Sequence, residues 1–202
     1  EELSKLEEAG IDLLHCDVMD GVFVNNLAMG PYVLEEIKHA TSIPLDIHLA
    51  TVTPDKYIEM FSSIKPDYIS FHIETTEDAG HSINLLQKYG IKPAIALSPE
   101  TPVEAITPFL SEVAMVLMMT VNPGFAGQKF NYTVLKKLDD LREKMANLNQ
   151  PPLIEVDGNI NENTVPALVD KGADVYVLGT SQLFNDKRGT YKDKVENIRK
   201  LF

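Results

Sequence analysis

His15 and Asp17 stand two residues apart in the run Leu13–Val18, and on an extended strand such residues point to the same face. An imidazole beside a carboxylate suits metal ligation or proton transfer. His48 falls in the apolar run Pro44–Leu49, and Asp157 follows the apolar run Leu153–Val156. An ionisable side chain in such a run is costly unless it is paired, hydrogen-bonded or bound to a cation. Together the four offer two imidazoles and two carboxylates from three strands, a mixed donor set for one divalent metal ion: zinc, iron, manganese or cobalt. Taken singly, each residue also fits a plainer role, a core histidine bonded to backbone or an aspartate capping a helix. His72, at another strand end and followed by Glu74, reads as a group that orients a ligand or bonds substrate.

A second chemistry is carried by glycine. Asn122-Pro123-Gly124-Phe125-Ala126-Gly127-Gln128 lies between a strand pattern and a helix pattern, and Gly158-Asn159 and Gly179-Thr180 follow two later strands. Glycine lets backbone N–H groups approach an anion closely. Loops after the last two strands of a barrel, with the N-terminus of a short extra helix, form a recurrent phosphate site. Thr180 to Phe184 is the segment expected to supply that helix.

These residues need elements to hold them. Short β-branched runs predict strands at Leu13–Asp17, Leu45–Leu49, Tyr68–His72, Ala94–Leu97, Met115–Thr120, Leu153–Val156 and Val175–Leu178. Amphipathic stretches between them predict helices at Pro31–Ala40, Thr53–Ser63, Glu77–Tyr89, Val103–Leu110, Tyr132–Asn147, Asn161–Lys171 and Lys192–Leu201. This alternation is the pattern of a parallel α/β fold. An open doubly wound sheet would place a G-x-G-x-x-G turn after its first strand, and none occurs in Asp17–Asn26. The unusual residues recur instead at the C-terminal ends of several strands, which converge on one face in a (β/α)8 TIM barrel. Glu1 to Ala9 reads as the end of a helix running into Gly10. The expectation is therefore one barrel domain over residues 1–202, lacking its first strand.

Composition narrows the partners. The chain has 202 residues, 44% of them hydrophobic, and 18 basic against 30 acidic residues give a net charge of −12. That charge opposes nucleic acid and anionic membrane surfaces, so an anionic small molecule needs a local device such as the glycine turns. Cys16 is the only cysteine and cannot form an intrachain disulfide. With no apolar run near the roughly 20 residues of a membrane span and no signal-like start, a cytoplasmic location is expected.

The motifs resemble the ribulose-phosphate 3-epimerase family along nearly the whole chain. The matching segments are HCDVMDGVFVNN at His15–Asn26, PLDIHLA at Pro44–Ala50, FHIE at Phe71–Glu74, SPETP at Ser98–Pro102, MTVNPGFAGQKF at Met119–Phe130, EVDGNI at Glu155–Ile160 and GADVYVLGTSQLF at Gly172–Phe184. The resemblance implies a metal held by His15, Asp17, His48 and Asp157, with Asp17 and Asp157 doubling as acid and base. It implies phosphate held by Gly124, Phe125, Ala126 and Gly127, by Gly158 with Asn159, and by Gly179 with Thr180. Met19 and Met119 would line the reacting carbons, and His48 would border the substrate. The family commonly has proline at Asn25, methionine at Ala50, a second glycine at Asn159 and serine at Thr180, departures that bear on substrate size. Its first strand, which supplies a serine near the substrate, has no counterpart in the printed sequence.

The reaction so implied is metal-dependent 3-epimerisation of a ketose phosphate, ribulose 5-phosphate to xylulose 5-phosphate, by two-base proton transfer through an enediolate. An allulose 6-phosphate epimerase is the near alternative. A phosphosugar lyase would ordinarily carry a lysine at a strand end, and the seven strand patterns end in none. A non-catalytic phosphosugar-binding barrel has no need of two acid–base groups. Family members self-associate, so a homo-oligomer is expected.

Overall fold

The computed structural model describes residues 1–202. Its sheet contains β1 (Leu14–Asp20), β2 (Leu27–Ala28), β3 (Leu45–Ala50), β4 (Tyr68–His72), β5 (Lys92–Leu97), β6 (Met115–Met119), β7 (Leu153–Asp157) and β8 (Val175–Tyr176). The strand order is β2-β1-β3-β4-β5-β6-β7-β8. Seven of these strands run parallel, while β2 pairs antiparallel with the end of β1 through Met19↔Ala28 and Asp20↔Leu27. Because no ladder joins β8 to β1, the parallel strands form a curled arc with a seam between its two ends.

The helices are α1 (Glu2–Glu8), α2 (Pro31–Ala40), α3 (Pro54–Phe61), α4 (Ala79–Lys88), α5 (Val134–Met145), α6 (Val165–Asp170) and α7 (Tyr191–Arg199). Their ends follow local chemistry. Proline begins α2 and α3, where its missing N–H costs nothing. Asp78 caps α4 by accepting from the His81 N–H at 3.0 Å, and Thr190 with Asp193 forms a reciprocal capping box on α7.

The seven predicted strands and the predicted helices are present, with four differences. Val103–Phe109 is 3-10 rather than α-helix, and it contains Pro108, which cannot donate a helical hydrogen bond. β8 stops at Tyr176, two residues before the expected Leu178. Thr180–Phe184 is a single turn, its Gln182, Leu183 and Phe184 amides all donating to the Gly179 carbonyl, and not a helix. The short β2 was not anticipated, since Leu27–Ala28 is too brief to show a period.

The two sheet faces differ sharply. Ile47, Leu49, Ile69, Phe71, Ile95, Leu97, Val116, Met118, Ile154 and Val156 belong to one buried cluster of 34 residues shared with the helices. Burying each such side chain contributes roughly 1.5–3 kcal/mol before conformational entropy is subtracted. The alternate residues of the same strands face the barrel axis. There Ala96, Leu117 and Met119 make a small apolar cluster, and His15, Asp46, His48, Ser70, His72 and Glu155 place polar groups in the interior. A parallel α/β sheet is normally apolar on both faces, so a polar inner face marks where the fold departs from packing alone.

Candidate active site

Every side chain of the proposed donor set comes from the inner face. Parallel pairing sets His15 opposite Asp46 and Asp17 opposite His48, and β6 with β7 sets Met119 opposite Asp157. One ligand atom each from His15, Asp17, His48 and Asp157 lies within 4.8 Å of the others. His48 Nδ1 is 2.8 Å from Asp17 Oδ1, and His15 Nε2 is 3.6 Å from the same oxygen. Two imidazoles thus bracket Asp17, one from its own strand and one from the neighbouring β3.

The partners on the far sides of both imidazoles matter as much. His15 Nδ1 lies 2.6 Å from Asp46 Oδ2 and 3.3 Å from Glu155 Oε1. A proton on Nδ1 satisfies that contact and leaves Nε2 pointing at the donor set with no hydrogen-bond partner. His48 Nε2 is 2.9 Å from His72 Nε2, which leaves Nδ1 as the nitrogen facing Asp17. Holding one ring nitrogen of a histidine so that the other is aimed inward is how metal-binding imidazoles are oriented.

The charges are uneven. Asp17, Asp46, Glu155 and Asp157 crowd two imidazoles, so a positive charge is needed among them. Burial and the Asp46 carboxylate push Glu155 upward. Burial also raises Asp157, to about 6, with His15 opposing and Asp17 reinforcing the shift. Burial acts in the same sense on Asp17, yet the adjacent His15 and His48 imidazoles override it and hold that carboxyl far below the usual range. His15 loses affinity for its proton through burial, but Glu155 and Asp46 more than compensate and its pKa lies well above normal. The orphaned Nε2 of His15 and a donor set of two imidazoles and two carboxylates therefore fit a divalent cation.

A cavity of about 1050 Å³ opens over these groups and continues down the seam between β1 and β8. His15, Asp17, Met19, His48, Met119, Gly124, Phe125, Ala126, Gly127, Asp157, Gly158, Asn159, Gly179 and Thr180 all line it, so the structure brings together every site residue read from the sequence. His72 does not line it and is completely buried; its position suits orientation of His48 and not contact with a ligand.

The opposite wall is backbone. The amides of Gly124 to Gly127, of Asn159 and of Gly179 to Ser181 donate to no protein acceptor, which leaves them available for an anion. Gly158 has φ +120, and a Cβ there would meet Val121 Cγ2 at 2.6 Å and the Val121 nitrogen at 2.8 Å. Asn159 adopts φ 54, a left-handed conformation that asparagine tolerates, which is how it stands where glycine is expected. Its side chain donates to the Gln128 carbonyl at 2.9 Å and accepts from Asn161 Nδ2 at 2.8 Å. Asn26 Nδ2 donates to the Gly124 carbonyl at 2.7 Å. The glycine turn after β6 is thus held from both sides.

Asp46, Glu155, Asn26 and the role of Glu74 escaped the sequence reading. Asp46 and Glu155 precede His48 and Asp157 by two residues, so the period that linked His15 to Asp17 would have found them.

The chain has relatives among known proteins. The chain is 39% identical over 181 residues to the ribulose-phosphate 3-epimerase of Bacillus subtilis, covering 89% of this chain and 83% of that protein. It is 40% identical over 199 residues to the enzyme of that name from Methanocaldococcus jannaschii, covering 98% and 83%. The structure of 3-hexulose-6-phosphate synthase from Salmonella typhimurium superposes with a TM-score of 0.71 over 98% of this chain and 89% of that one, at 16% identity, a likeness of fold alone. Residues 1–184 match the ribulose-phosphate 3-epimerase family, and the chain belongs to that family.

Proposed function

We propose that this protein is a cation-assisted 3-epimerase of a ketose phosphate, with ribulose 5-phosphate and xylulose 5-phosphate as its substrate pair. The observation that carries this reading is the convergence, in one cavity, of two carboxylates, Asp17 and Asp157, and two imidazoles with three turns of unpaired amides.

Inversion at a carbon beside a ketone requires removal of a proton from one face and delivery to the other. Asp17 on β1 and Asp157 on β7 approach the cavity from different sides of the arc, so each would serve one face of C3. His15 Nε2, His48 Nδ1 and an oxygen from each aspartate would hold a divalent cation. When bound it would polarise the ketone and offset the charge developing on the enediolate oxygens. Met19 and Met119 would pack against the reacting carbons, keeping water away without offering a competing proton. The amides of the turns after β6, β7 and β8 would hold the phosphate, fixing the sugar so that C3 lies between the carboxyls. This device needs no lysine, which reconciles an anionic substrate with a net charge of −12.

The test is turnover of ribulose 5-phosphate, and in parallel of allulose 6-phosphate, before and after chelation and with zinc or manganese restored. Chelator-sensitive turnover of the five-carbon sugar supports the proposal. Preference for the six-carbon sugar would reassign the substrate, and inactivity on both with cation present would remove the epimerase reading.

A further inference from the structure

Behind His48, away from the cavity, a chain of hydrogen bonds runs from β3 through β4 and the 3-10 turn Ile73–Thr75 to the loop after β5. His48 Nε2 lies 2.9 Å from His72 Nε2, and His72 Nδ1 lies 3.0 Å from Glu74 Oε2. Glu74 Oε1 accepts from the Ser98 N–H at 2.8 Å and from the Thr101 hydroxyl. The Ser98 turn is itself pinned, because Lys137 Nζ donates to the Ser98 and Pro99 carbonyls at 2.9 and 3.0 Å. His48 and His72 are 1% and 0% exposed, so bulk water does not compete for their ring nitrogens.

The polarity of this chain follows from its fixed end. Burial would raise the Glu74 carboxyl, but hydrogen bonds from His72 and Thr101 hold it at about 2, so it only accepts. His72 must then carry its proton on Nδ1, and its bare Nε2 must accept from His48 Nε2–H. His48 is left with its lone pair on Nδ1, 2.8 Å from Asp17 Oδ1, a repulsion that a bound cation would relieve.

We propose that Glu74 is a positioning residue that, acting through His72, sets the tautomer of His48 and so leaves Nδ1 free to ligate a divalent cation. The inference rests on the cation site of the proposed function and adds the residue that orders it, on a 3-10 turn outside the cavity. An amide at position 74 reverses the chain. Its oxygen can keep the Ser98 and Thr101 contacts only if its NH2 donates to His72 Nδ1. The His72 proton then moves to Nε2, and that of His48 to Nδ1, the ligating atom.

The experiment titrates zinc into chelator-stripped wild type, Glu74→Gln and Thr101→Val in competition with a chromophoric chelator. It also reads the tautomer of His48 in each zinc-free protein from imidazole ¹⁵N shifts. Loss of an outer partner of a metal-binding histidine typically costs about 10–100-fold in affinity. That weakening is expected for Glu74→Gln, with the His48 proton transferred from Nε2 to Nδ1. Thr101→Val, which removes only one contact to Glu74, is expected to weaken zinc less and serves if Glu74→Gln does not fold. Unchanged zinc affinity in both variants, or a His48 that keeps its Nε2 proton in Glu74→Gln, would overturn the proposal. The tautomer decides the relay even if wild type takes up no zinc, a result that would instead remove the cation from the proposed function.

Discussion

One wall of the cavity is made of side chains carried on β1, β3 and β7, and the other of backbone in the loops after β6, β7 and β8. On the first wall both imidazoles are fixed by a partner behind them: Asp46 behind His15, His72 behind His48. On the second, the functional atoms are amides, and what matters is the conformation that turns them inward, with Gly158 at φ +120 and Asn159 at φ 54. The first wall depends on residue identity and the second on backbone shape. Substitutions on the two should fail in different ways, and each experiment below tests that division.

The largest effect belongs to the side-chain wall. Asp157→Asn removes one of the two proposed proton-transfer groups, and since general acid–base catalysis contributes about 10²–10⁴-fold, kcat is expected to fall by that order. Solvent deuterium should then cease to enter C3 from the affected face. Wild-type epimerisation in this variant would break the two-base scheme, provided cation uptake is intact.

A smaller effect of another kind is expected from Gly158→Ala. The added Cβ meets Val121 Cγ2 at 2.6 Å in a backbone conformation that L side chains rarely adopt, and such strain costs on the order of 1–3 kcal/mol. The melting temperature should drop and KM for the phosphorylated sugar should rise more than kcat falls. A pure kcat defect would blur the distinction between the walls.

The smallest effect sharpens it. Asn159→Gly keeps the left-handed backbone but deletes the links to Gln128 and Asn161. KM is expected to rise a few-fold, about the loss of one net hydrogen bond, with kcat unchanged. Competitive inhibition by inorganic phosphate should weaken in parallel, measured by the same turnover assay.

The same contrast explains what could be read in the sequence. His15, Asp17, His48 and Asp157 announced themselves because ionisable residues in apolar strands are anomalous, and the glycine turns because few residues serve there. The barrel strands were legible from β-branched runs of four to six residues. Asp46 and Glu155 are less legible because they lie inside their strands and not at the C-terminal ends, although their period matches that of their neighbours. The turn at Thr180–Phe184 is not legible as such, because its length is set by the Gly179 carbonyl collecting three amides, a local geometry with no distinct residue signature. Asn26 and the Glu74 relay act across 98 and 24 residues of chain, and no local pattern reports such contacts.

The free amides of the three turns bear on what hydrogen exchange can report. β3 to β6 are paired on both sides, so their amides should exchange slowly whether or not a ligand is present. The amides of Gly124 to Gly127, Asn159 and Gly179 to Ser181 have no protein acceptor, so only a bound anion can slow their exchange. Protection gained at these turns on adding inorganic phosphate, with the strand of His48 unchanged, would trace the outline of the anion site residue by residue.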